Sequence, residues 1–336
     1  ARGLARDEVR LMVSTPGTER IEHARFRDLP DLLAPGDLLV VNASATLPAA
    51  VPARQAAGGR VEVRFSTAAP QLEGGEWWVI ELRSADGTRP FRGHASAGEG
   101  LTLPAGARAE LVAPYLGRRL WVARFAATEP AHAYLARHGH PISYGYLSGR
   151  WPLEAYQTVF AREPGSAEMP SAGRPFTAAL VTRLIARGIQ VAPITLHAGV
   201  SSPERDEPPY PERYSVPEAT ARTVNAARGS GERVIAVGTT VVRALETVAW
   251  PNREVVAGEG WTDLVITHRR GVRAVDGLIT GLHEPTSPHL DLLSAVGGRP
   301  LVERSYSEAL RRQYLWHEFG DSHLILPTNG DRRRNR

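Results

Sequence analysis

Short aliphatic runs bounded by turn residues alternate, over most of the chain, with stretches of helical period. The first clear run is Leu38-Leu39-Val40-Val41, fed by the turn Ala34-Pro35-Gly36-Asp37. A short aliphatic run between turn signals reads as a buried strand. It ends at Asn42-Ala43-Ser44, where α/β sheets present their loops to ligands. Between residues 58 and 129 the pattern changes to strict alternation, as in Val61-Glu62-Val63-Arg64-Phe65, Trp78-Val79-Ile80-Glu81-Leu82 and Leu120-Trp121-Val122-Ala123-Arg124-Phe125. Frequent Gly and Pro between such segments indicate a small antiparallel barrel or sandwich.

After Pro130 the helical period returns. It predicts a helix over 178–187 closed by Gly188, a strand over 189–196, a helix over 217–228 and a strand over 233–237. A helix over 241–250, a strand over 274–280 and a helix over 289–296 follow, the last with Ser287 as N-cap and Pro288 at its first position. A helix over 306–318 and a strand over 322–326 complete the pattern. The fold expected is α/β: a three-layer main domain formed by 1–57 and 130–330, with a small antiparallel β-barrel domain, 58–129, inserted. Residues 331–336, with four arginines in six, read as a basic, disordered tail.

Composition narrows the chemistry. The 336 residues contain no cysteine and no lysine, so all 40 basic residues are arginine. Thiolate catalysis, disulfides, zinc–thiolate sites, Schiff bases and the lysine of a P-loop are therefore excluded. The net charge of +4 permits a polyanionic partner without requiring one. No apolar run approaches the ~18 residues of a membrane span, and the charged first ten residues lack a signal-peptide core. A cytoplasmic, soluble protein with no membrane partner is expected.

Two glycine-containing loops stand out. In 156–177, Pro170-Ser171-Ala172-Gly173-Arg174 precedes a helix start at Thr177, and Gly173 admits a ligand close to the backbone. In Gly238-Thr239-Thr240, helix N–H groups and two hydroxyls suit an anionic or carboxylate-bearing ligand. The same residues also read as a plain helix start, with Thr240 as cap and Arg243 and Glu246 as a surface pair. His197 and His283 each follow an expected strand and suit proton transfer near neutral pH, or a structural hydrogen bond. Asp321 is a turn aspartate by spacing, and Glu163 and Glu168 flank the first loop, placed to meet a ligand hydroxyl or cation or, for at least one of them, only solvent. No third ligand stands at metal-site spacing, so no metal is expected.

Several strings, in order, resemble the S-adenosylmethionine:tRNA ribosyltransferase-isomerases of queuosine biosynthesis. They are Tyr156-Gln157-Thr158-Val159 through Pro164-Gly165 to Pro170-Ser171-Ala172-Gly173, Ile235-Ala236-Val237-Gly238-Thr239-Thr240 with Arg243, Leu245 and Glu246, and Gly320-Asp321 before Leu324-Ile325. Strings around His197 and His283 and the block Pro35–Asn42 add to the likeness, which spans nearly the whole chain. The resemblance implies transfer and isomerisation of the ribosyl part of S-adenosylmethionine onto an aminomethyl-deazaguanine base in tRNA, giving epoxyqueuosine. S-adenosylmethionine is then a substrate, no cofactor is needed, and tRNA is the expected partner. The resemblance assigns His197, His283 and Asp321 to catalysis. Residues 170–174, 238–240 and Arg243 are assigned to substrate binding. Departures from the family pattern are Ala45 and Ala50 in place of arginines, Pro175 in place of histidine and Gly281 in place of asparagine. Tyr210 likewise stands where the family has histidine, before Glu212 and Tyr214. They leave a second reading open: a diverged paralogue that cleaves or rearranges S-adenosylmethionine for a small-molecule pathway without tRNA.

Overall fold

A computed structural model describes residues 5–69, 72, 75–117, 119–144, 149, 151–200, 209–284, 289–316 and 318–328. In chain order the strands are β1 (Arg10–Thr15), β2 (Arg20–Arg25), β3 (Leu38–Asn42), β4 (Ser44–Thr46), β5 (Ala50–Gln55), β6 (Arg60–Ala68) and β7 (Glu76–Ser84). Then come β8 (Gly100–Thr102), β9 (Arg108–Tyr115), β10 (Leu120–Ala126), β11 (Glu163–Ser166), β12 (Gln190–Leu196) and β13 (Glu212–Val216). The last are β14 (Val234–Val237), β15 (Gly258–Thr262), β16 (Gly277–Gly281) and β17 (Ser322–Ile325). The helices are α1 (Leu29–Leu32), α2 (Ala131–His138), α3 (Ala178–Ala186), α4 (Glu218–Gly229), α5 (Thr239–Thr247), α6 (His289–Gly297) and α7 (Arg299–Arg311).

Nine strands form one sheet in the order β15-β13-β12-β3-β14-β16-β17-β1-β2. Its centre, β12, β3, β14 and β16, is parallel. All five residues of β3 are buried. Because successive side chains point to opposite faces, Leu38 and Val40 enter one core with α4, α5, α6 and α7, while Leu39 and Val41 enter a second with Phe26, Phe176 and α3. The main body therefore has three layers, as expected. At the amino end of β3, Asp37 accepts from Arg233 Nε at 2.9 Å, and both side chains are almost fully buried. This pair ties the entry of β3 to that of β14.

The barrel closes in the order β10-β7-β6-β5-β8-β9. Its first strand starts at Ala50, so the expected boundary at 58 lies too late; β5 belongs to the barrel. Phe65 meets Trp78 and Phe125 edge-on, each with 5.5 Å between ring centres. Beside this apolar centre lies a buried charge network. Arg64 donates to Glu62 at 3.0 Å and to the Gly87 carbonyl at 2.7 Å, and Arg119 donates to Glu81 at 2.7 Å. The ends of the insertion are stitched together, because the amides of Ala50 and His140 donate to each other's carbonyls at 2.9 Å.

Other expectations shift by a few residues. The helix expected over 306–318 is α7, which ends at Arg311; the one expected over 241–250 starts two residues earlier, at Thr239; and the strand expected over 274–280 is Gly277–Gly281. Thr177 caps α3 as anticipated, accepting from the Leu180 amide at 3.1 Å. Ser287, Pro288 and the tail 331–336 lie outside the described residues. Among the described residues no helix is long and apolar enough to cross a membrane.

Candidate functional site

Strand β3 is the switch point of the sheet, with β12 on one side and β14 on the other. At the carboxyl ends of such strands the loops diverge and leave a crevice. A cavity of ≈ 340 Å³ lies there, and its walls include Pro170, Ser171, Ala172, Gly238, Thr239 and Thr240. The two glycine-containing loops thus face each other. Gly238 has φ +104°, and a Cβ placed on it would lie 3.5 Å from the Ala172 Cβ. Only a residue without a side chain adopts that backbone at no cost while keeping the gap open.

Asn42, at the end of β3, holds this rim together. Its Nδ2 donates to the Leu196 carbonyl at 2.8 Å, and its Oδ1 accepts from the Leu196 and Ser44 amides at 3.0 Å. Thr240 is not the cap of α5; Gly238 occupies that position, and Thr240 Oγ1 lies 3.4 Å from Asn42 Nδ2.

His283 lines the cavity. Its Nε2 lies 3.0 Å from Thr280 Oγ1, its amide donates to the Tyr306 hydroxyl at 3.2 Å, and its ring stacks parallel on His289 with centres 4.3 Å apart. His197 is not part of the cavity lining. Its Nδ1 lies 2.8 Å from Ser44 Oγ, which in turn lies 2.6 Å from Ser166 Oγ. Burial, with help from Arg213 and His132, pushes the His197 imidazole down to about 4, so it is neutral at physiological pH.

Two expected site residues have structural work. Asp321 accepts from the Arg10 amide at 2.8 Å, from Arg10 Nε at 2.9 Å and from the Leu315 amide at 2.9 Å. Its carboxylate clamps the two ends of the chain and is absent from the cavity wall. Arg243 lines the cavity but is committed to Glu212 and to the carbonyls of Leu264, Tyr210 and Thr262. The anticipated surface pair with Glu246 does not form, since Glu246 is buried and takes Arg270 instead, at 2.7 Å. Glu212 also accepts from the Gly199 amide at 3.1 Å, so Arg243 fixes the loop after β12 through it. Arg174 stacks over the Phe319 ring at 4.5 Å, next to the cavity, and burial brings its guanidinium down to about 10.

Sequence reasoning missed Glu318. It lines the cavity, is only 8% exposed, and no hydrogen-bond partner reaches its Oε2 among the described residues. Burial, then the neighbouring Glu168, pushes its carboxyl up to about 8 against the pull of Arg64 and Arg174. Glu168 also lines the cavity and accepts from the Tyr144 hydroxyl. Glu163, the other loop carboxylate, is exposed on β11. A small pocket beside Glu318 is bordered by Arg174, Pro175 and Gly281, two of which are departures from the family pattern. The one available signal for Glu318 was an acid set directly before Phe319-Gly320-Asp321.

The family model described as Queuosine biosynthesis protein matches residues 3–325. The S-adenosylmethionine:tRNA ribosyltransferase-isomerase of Geobacter sulfurreducens is 37% identical over 331 residues, covering 96% of this chain and 94% of that protein. The protein of the same name from Symbiobacterium thermophilum is 40% identical over 332 residues, with the same coverage. The crystal structure of S-adenosylmethionine tRNA ribosyltransferase from Thermotoga maritima is similar with a TM-score of 0.53 and 31% identity, over 96% of this chain and 93% of that one.

Proposed function

The chain belongs to the family of queuosine biosynthesis proteins, and from that premise we propose that it is an S-adenosylmethionine:tRNA ribosyltransferase-isomerase. It moves the ribosyl part of S-adenosylmethionine onto an aminomethyl-deazaguanine base of tRNA and rearranges it to the epoxyqueuosine form. The observation that carries this reading is the facing pair of loops, 170–172 and 238–240, around a cavity at the switch point of the sheet, with His283 in its wall; Gly173 lies behind the first loop against Thr158 and does not line the cavity. Its volume falls in the range of about 300–1,000 Å³ usual for small-molecule sites.

In this reading the sulfonium acidifies the adjacent 5′-carbon, a base removes a proton there, and adenine and methionine leave. His283, in the cavity wall, is the proton-transfer group in this reading. His197, neutral and held by Ser44, positions the floor behind the loops. Residues 170–172 and 238–240 cradle the nucleoside, Arg243 keeps Glu212 and the loop after β12 in place, and Asp321 braces the rim. S-adenosylmethionine is consumed as a substrate, with no resident cofactor.

The test is incubation with S-adenosylmethionine and tRNA bearing the aminomethyl-deazaguanine base, followed by nucleoside mass spectrometry. Expected are release of adenine and methionine together with the mass gain of the modified nucleoside. Consumption of S-adenosylmethionine at an unchanged rate without tRNA would favour the small-molecule paralogue. Intact substrates in every arm would refute both.

A further inference from the structure

We propose that Glu318, flanked by Glu168, is the receptor for the α-ammonium group of the methionyl end of S-adenosylmethionine. The inference rests on the function proposed above and specifies one end of its substrate.

Glu318 is nine-tenths buried, borders the cavity, and keeps one carboxyl oxygen without a hydrogen bond among the described residues. A buried polar atom left without a partner is costly, so this oxygen is a position where a ligand gains by supplying a donor. Phe319 beside it is covered by the Arg174 guanidinium, and Tyr156 meets the same ring edge-on at 5.2 Å, so the carboxyl is held on a packed base. The second carboxyl, Glu168, is held at the cavity wall by the Tyr144 hydroxyl.

The groups facing Glu318 are Glu168, Arg64 and Arg174; burial first, then Glu168, holds its carboxyl up at about 8 against the opposing pull of the two arginines, so it is protonated at neutral pH. Among the described residues, the remaining charged or titratable groups of the cavity wall are Glu212, Asp291, Arg243, His283, His289 and Tyr210, and Arg243 is already paired with Glu212. Among the described residues of the wall, carboxyl groups outnumber guanidinium groups. A cation entering next to Glu318 therefore shifts its equilibrium toward the carboxylate.

S-adenosylmethionine carries two cations, a sulfonium and an ammonium. A sulfonium has no N–H to donate and would leave the open carboxyl oxygen as it is. An ammonium donates directly, and a charge-assisted hydrogen bond to a carboxylate is among the strongest available. When it binds, the Glu318 carboxyl gives up its O–H proton to the buffer base, and no other covalent bond changes.

Calorimetric titration with S-adenosylhomocysteine, which keeps the ammonium and lacks the sulfonium, tests this directly. At pH 7, in phosphate and in Tris, the wild-type protein is expected to release about one proton per ligand bound. Methylthioadenosine, which has no ammonium, should bind with no proton release. Glu318→Gln should abolish the release and weaken S-adenosylhomocysteine about 10- to 100-fold, leaving methylthioadenosine unchanged. The buffer comparison needs no variant, so a poorly folded Glu318→Gln does not blunt it. Binding of S-adenosylhomocysteine by the wild type with no proton release overturns this inference alone. Failure of both nucleosides to bind overturns the proposed function and this inference with it.

Discussion

Gly165 determines where the His197 ring can lie. A Cβ on Gly165 would sit 2.4 Å from His197 Nδ1, the atom that faces Ser44 Oγ. Gly165→Ala therefore evicts the ring from its hydroxyl partner, at a cost of about 1–3 kcal/mol as an overpacked site. Thermal unfolding should register that loss. The unmutated ring makes a second prediction, about pH. His197 is held near 4 and His323, fully buried against Ser14, near 3, both by burial first. The unfolded chain, with ordinary imidazoles near 6.5, binds more protons than the folded one throughout the interval from 6.5 down to these values. The contribution of these two residues to stability thus rises with pH up to about 6.5 and is flat above it; Glu318, raised to about 8, opposes it from about 4.5 upward with one proton against their two. A melting temperature that ignores pH between 4 and 6.5 would contradict this assignment.

Strand β3 depends on its charged entry as much as on its aliphatic body. Arg233→Met leaves the Asp37 carboxylate buried and without its cation, and breaking such a pair costs about 3–5 kcal/mol. Asp37→Asn combined with Arg233→Met should recover part of that loss in denaturant melts. An equal loss in the single and double variants would mean that the pair does not carry the effect. This strand was legible in advance because four aliphatic residues between turn signals have nowhere to go but a covered sheet. Strand β5 was not, because Pro52 interrupts it. The fold tolerates that proline because β8 pairs only with Arg54 and Gln55, leaving Pro52 beyond its reach. Helix α7 was expected too far along because Tyr314, Leu315 and Trp316 continue its apolar period. Gln313, at φ +54°, ends it instead, and the Leu315 amide then turns to Asp321. Both glycine loops were readable as strings, since local backbone demands fix their residues. The role of Asp321 was not, because its partner Arg10 lies 311 residues away.

Across the whole molecule, the barrel and the sheet meet at the cavity through polar contacts. Arg119, paired with Glu81 of the barrel, also reaches the Tyr210 hydroxyl at 3.4 Å, and Tyr210 lines the cavity. All positive charge offered to a nucleic acid is guanidinium, apart from any protonated histidine and the amino terminus. If tRNA is the acceptor, its affinity should fall linearly on a log–log plot with salt, with a slope of about −0.7 to −0.9 per phosphate neutralised. S-adenosylmethionine binding should change far less over the same range. Equal salt dependence of the two ligands, measured by filter binding and calorimetry, would argue against a phosphate-contacting acceptor.

The insertion also sets an order of events during synthesis. The last barrel strand ends at Ala126, whereas Asn42 must wait 154 residues for Leu196, its hydrogen-bond partner on β12. At about 5–20 residues per second, that interval lasts roughly 8–30 s on the ribosome. For the last part of it, from Ala126 to Leu196 and about 4–14 s at that rate, the nascent chain carries a finished insert hanging from a bare aliphatic ribbon, which chaperones can grip before its neighbours exist.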